Sequence, residues 1–96
     1  NASDEIFVPV DSLLNPNGNP GGVNRDLLNG IETIDRIYMH GVEDSSLSFV
    51  EGVGDPRGDW NGFGVGIYAN GVLEALVTSN LTARQVDDIT SGGFFA

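Results

Sequence analysis

The sequence predicts a small, mainly β module, β-roll-like or a β-sandwich, with a hairpin late in the chain and one short helical segment. Three observations point there. Fourteen glycines and many Asn and Asp residues punctuate the chain at turn spacing. Apolar runs are short and tend to alternate. The stretch "IYANGVLEALV" puts Asn70-Gly71 between two apolar runs, the strongest local signal for a tight hairpin. At 96 residues the chain is a single module, long enough to bury a real core. It starts at Asn1 rather than Met, which leads to the expectation of a processed product or a piece of a longer secreted chain.

The elements follow in order. "EIFVPV", Glu5 to Val10, is a strand whose Pro9 marks an edge or an end. Ser12 to Asp26 is dense in Asn, Pro and Gly and reads as a loop, longer than most loops in compact domains. Leu27 to Val42 is ambiguous: Leu27, Ile31 and Ile34 fit a helical stripe, whereas Thr33 to Met39 fits a strand after a turn at Asn29-Gly30, and the strand is preferred. Ser46 to Gly52 is a further strand, and Val53 to Gly62 a polar loop. Phe63 to Ala69 and Val72 to Val77 form the hairpin. In a regular ladder one face carries Phe63, Val65, Ile67, Val72, Glu74 and Leu76. The other carries Gly64, Gly66, Tyr68, Leu73, Ala75 and Val77, thinned by its glycines so that another layer can approach. Thr82 is placed to cap a helical turn or two within Leu81 to Ile89. The expected core is Ile6, Phe7, Val8, Ile34, Ile37, Leu47, Phe49, Val65, Ile67, Leu73 and Leu76.

Composition limits the chemistry. Fourteen acidic residues against four arginines give a net charge of −10, which disfavours nucleic acid and anionic membranes as partners. No apolar run approaches the roughly 20 residues of a membrane-spanning helix. Without cysteine there is no disulfide, thiolate nucleophile or sulfur-ligated metal. His40, the single histidine, cannot build a usual zinc set or, with its sequence neighbours alone, a catalytic triad. The reading is therefore non-enzymatic.

Oxygen-rich loops make calcium the expected ion. Asp11, Asn15, Asn17, Asn19, Asn24 and Asp26 bracket the first loop, without the spacing of an EF-hand. Glu51, Asp55 and Asp59 flank the second, and Glu43 with Asp44 forms a smaller pair. The same residue types also build turns. Arg57-Gly58-Asp59 matches an integrin-binding tripeptide but makes equal sense as turn chemistry. Trp60, Asn61 and Tyr68 supply the aromatic plane and polar rim of an alternative, calcium-dependent carbohydrate site.

Taken in sequence, "SDEIFV", a variable loop, "DLLNGIETIDRIYMHGVEDSSLSFVEG", a polar loop, "GVGIYANGVLEALV" and "LTARQVDDI" resemble the segment that follows the glycine-rich repeats of secreted haemolysin-type (RTX) calcium-binding proteins of bacteria and cyanobacteria. Asp4, Phe7 and Val8 carry the opening of the resemblance. Asp26, Ile31, Asp35, Ile37, Met39, Gly41, Val42, Leu47 and Phe49 carry the middle, and Asn70, Gly71, Leu73, Leu76 and Leu81 the end. The repeat G-G-x-G-x-D-x-U-x is missing from this chain, and Glu74 stands near a position that is small in the family. The resemblance implies a β-rich module that closes a stack of parallel coils, in a secreted or cell-surface protein of bacterial type. It leads to the expectation of a calcium-assisted structural or assembly role, with self-association or a larger extracellular assembly as the partner. An accessory domain of a secreted hydrolase is a further alternative.

Overall fold

Asn70 and Gly71 both take positive φ, 52° and 83°. That is what a two-residue type I′ turn demands, and Gly71 meets it without a Cβ penalty. The turn joins two strands of a computed structural model that describes residues 5–10 and 26–94. The described strands are β1 (Glu5–Pro9), β2 (Asp26–Leu28), β3 (Arg36–His40), β4 (Leu47–Gly54), β5 (Phe63–Ala69), β6 (Val72–Val77) and β7 (Thr90–Gly93). One helix, α1 (Ala83–Ile89), precedes β7, and a 3-10 turn at Asp44–Ser46 precedes β4. The mainly β class read from the sequence is the class observed.

The strands form two sheets. β1, β3 and β7 lie side by side, all parallel, with β3 in the middle. β2, β6, β5 and β4 form the second sheet, antiparallel apart from the β2–β6 pair. The core lies where the two sheets and the helix meet. Val8, Ile37 and Met39 from the first sheet join Val65, Ile67, Ala69, Ala75 and Val77 from the second, with Val86 and Ile89 from α1. Ile6, Leu47 and Phe49 pack against this cluster while partly buried.

Three features explain local choices. Val10 donates its N–H to the His40 carbonyl at 2.8 Å, so the alternation along β1 turns the Pro9 nitrogen away from β3, where a missing N–H costs no ladder bond. Thr82 caps α1 through a reciprocal pair: its hydroxyl accepts the Gln85 N–H at 3.1 Å, and the Gln85 side chain accepts the Thr82 N–H at 2.9 Å. The buried Thr90 hydroxyl donates to the Val86 carbonyl at 2.6 Å, tying β7 to the end of the helix.

Several expectations are corrected. The third strand starts at Arg36, not Thr33, because Glu32 to Asp35 is a turn. In it the Asp35 carboxylate accepts the Glu32 N–H at 2.8 Å, and the Asp35 N–H donates to the Glu32 carbonyl at 3.0 Å. Ile34, on that turn, is 42% exposed rather than core. Phe7 is also outside the core, at 57% exposure, because in-register pairing places it on the opposite face from Val8. Asp26, expected at the end of the first loop, and Leu27 and Leu28, from the ambiguous stretch, form a short strand parallel to β6, and Thr90 to Gly93 is a strand that no sequence pattern announced.

The hairpin faces change midway. Tyr68 opposes Leu73, but Ile67 opposes Ala75, so Glu74 is an extra residue, a β-bulge. Beyond it every side chain of β6 switches face. Ala75 and Val77 join Val65 and Ile67 in the core, while Leu76 pairs with Gly66 on the other face. Glu74 itself is buried, at 1% exposure.

Candidate functional site

The loop from Asp55 to Asn61 is organised around one carboxylate. Asp55 accepts the N–H groups of Arg57 at 3.1 Å, Asp59 at 2.9 Å and Trp60 at 3.1 Å, while its carbonyl accepts the Gly58 N–H at 3.1 Å. An aspartate that gathers successive backbone N–H groups is turn chemistry. Asp59 lies 3.7 Å from the Arg57 guanidinium, both side chains about half exposed. Glu51 serves a different element: its carboxylate accepts the Ala83 N–H at 2.8 Å, at the start of α1. Asp44 accepts the Gly92 N–H at 3.0 Å, linking the 3-10 turn to β7. Asp26 is exposed on β2, opposite Ala75 in register.

Glu51, Asp55 and Asp59 therefore each have backbone or ion-pair work of their own. Among the described residues no three His, Asp or Glu side chains gather so as to hold a metal ion. Asp11, Asn15, Asn17, Asn19 and Asn24 lie outside the described residues.

Of the residues of the alternative sugar site, Trp60 and Asn61 lie in the loop before β5 and Tyr68 near the end of β5. Trp60 is half-buried, and its ring runs across the backbone of Gly62, where a Cβ would come within 2.5 Å of it. Tyr68, also half-buried, covers Gly66, and Asn61 is exposed. The glycine-thinned face is thus filled by the chain's own rings; space left by missing side chains is taken up by Trp60, Tyr68 and Leu73.

A surface that sequence reasoning missed lies on the first sheet. Val8, Ile37 and Met39 point into the core, so Glu5, Phe7 and Pro9 share the outer face with Arg36, Tyr38 and His40 and with Ser91 and Gly93. In-register pairing puts Phe7 beside Tyr38, and their rings stack at 5.0 Å between centroids with 27° between planes. Glu5 sits opposite Arg36 in the same register, so the formal charges of this face cancel. The alternation Glu5, Phe7, Pro9 was the signal available in the sequence. It was masked by the neighbouring apolar residues, which make the run look uniformly buried.

No family model matches the chain, and no curated protein and no solved structure matches it significantly. Among the described residues no helix is long and apolar enough to cross a membrane.

Proposed function

We propose that this chain is a non-enzymatic assembly module that associates with a second copy of itself through the outer face of β1, β3 and β7, in the secreted or cell-surface setting its sequence resemblance implies. One observation supports the reading: an all-parallel sheet with an exposed face that carries a stacked aromatic pair. Parallel sheets occur almost only with both faces covered. Here one face meets the core and the other presents Phe7 to solvent. The face is also locally neutral in a chain of net charge −10, so two copies meeting there bring no like charges of this face together.

Its size sets the strength. Two strands of five residues and one of four span roughly 14 by 17 Å at ordinary strand spacing and rise, on the order of 240 Å² at most. Stable interfaces bury about 800 Å² per partner, so the association is weak and concentration-dependent. Calcium assists by offsetting the repulsion between two acidic chains.

Light scattering after size exclusion, over a concentration series in millimolar calcium and in chelator at matched ionic strength, tests this. The wild-type mass should rise with concentration, more so in calcium, while Phe7→Ser stays monomeric with an unchanged circular dichroism spectrum. A sharp monomer at every concentration and calcium level would sink the proposal.

A further inference from the structure

A second surface, independent of the parallel sheet, carries binding chemistry of its own. Where β4 and β5 meet the segment after β6, a cleft of about 270 Å³ is lined by Glu51, Phe63, Thr78, Ser79, Asn80 and Leu81, among others. It is slightly smaller than the roughly 300–1,000 Å³ of drug-sized ligand sites, room for one ring-sized molecule. Phe63 is 77% exposed, the most exposed large apolar side chain among the described residues. It stands at the first position of β5, opposite Gly54, and one edge of its ring lies over that glycine.

The polar groups around it have capacity to spare. Glu51 uses Oε2 for the Ala83 N–H, which leaves Oε1 as an acceptor. Ser79 Oγ accepts the Ile31 N–H at 2.8 Å, which leaves its O–H to donate. The Asn80 amide, exposed and without a hydrogen-bond partner among the described residues, offers both a donor and an acceptor. Thr78 is less available, since its hydroxyl lies 2.6 Å from the Asn29 side chain.

An aromatic plane with donors and acceptors at its rim matches a ligand that is apolar on one face and hydroxylated around its edge. A hydroxyl both donates and accepts, so adjacent hydroxyls can use Glu51, Ser79 and Asn80 together. Anions are disfavoured by the Glu51 carboxylate and by the net charge of −10. A purely apolar ligand would leave the carboxylate and the amide desolvated without partners. We propose that this cleft binds a neutral pyranose sugar, with one ring face on Phe63 and its hydroxyls on Glu51, Ser79 and Asn80. The proposed site differs from the alternative sugar site at Trp60, Asn61 and Tyr68 in resting on the more exposed ring: Trp60 is half-buried against Gly62, while Phe63 is 77% exposed.

The test is a titration of the isotope-labelled full chain with maltotriose, cellotriose and mannotriose, read by amide chemical shifts. At least one sugar should move the amides of Gly52, Gly64, Ser79 and Asn80 in a saturable manner. Phe63→Ala and Asn80→Ala should each weaken binding about tenfold, the factor that losing a contact worth about 1.4 kcal/mol produces. Phe63 and Asn80 are exposed, so neither change disturbs the core, and Phe94→Ala, exposed just beyond β7 of the other sheet and not lining the cleft, serves as the control. No saturable shift with any of the three sugars would overturn the proposal. So would binding that survives Phe63→Ala, or shifts of the same amides produced by tetramethylammonium and not by sugar.

Discussion

Replacing Asp55 with alanine separates two roles for an acidic loop, that of metal ligand and that of backbone organiser. The carboxylate accepts three N–H groups, from Arg57, Asp59 and Trp60. A net contribution of about 0.5–1.5 kcal/mol is typical for each such bond, and solvent reaches this loop, so the low end applies. The sum is about 1.5 kcal/mol, lost whether calcium is present or not. For a domain of this size that lowers the melting temperature by roughly 10 °C. Asp55→Asn keeps one acceptor oxygen and should lose about half as much. The assay is urea unfolding in millimolar calcium and in chelator, followed by the emission of Trp60, the chain's single tryptophan. Because the loop holds that ring against Gly62, its release should shift the emission to the red as well. A loss below about 0.5 kcal/mol would refute the organising role. A loss confined to the calcium buffer would refute it differently, by making Asp55 a ligand.

Two further substitutions probe the fold. Thr82→Ala removes one half of the reciprocal cap on α1 and should cost about 1 kcal/mol, read as a shift in the urea midpoint; no shift would mean that the cap is redundant with the Glu51 bond to Ala83. Gly64→Ala drives a Cβ into the Val77 carbonyl, a backbone group that cannot swing aside, and should cost about 3 kcal/mol by thermal denaturation. A fully stable variant would show that β5 and β6 can separate locally more easily than their buried packing implies.

The hairpin was legible because its turn is local. Two adjacent residues with the right φ preference suffice, and Asn70-Gly71 is such a pair. The cap at Thr82 was legible for the same reason, since all its groups lie within three residues of one another. The faces of β6 were not. A bulge is decided by how two strands settle against each other, and one extra residue at Glu74 reverses every side chain after it. Phe7 shows the same limit. Its neighbours are apolar, but which of them reach the core depends on the register of β1 against β3. The candidate sites follow suit. Asp55, Glu51 and Trp60 were visible as residues with chemistry, while the N–H groups and glycines that occupy them became visible only in three dimensions.

The sequence by itself determined the mainly β class, the hairpin and its turn, the capped helix and the acidic charge, because each depends on residues close together along the chain or on composition alone. Only the tertiary structure decided that β1, β3 and β7 lie parallel, drawn from widely separated parts of the chain. It alone decided that an aromatic pair rests on their outer face and that Phe63, rather than Trp60, faces solvent beside polar groups. Long-range pairing is chosen by the burial of a shared core, a property of the whole chain that local propensity does not encode.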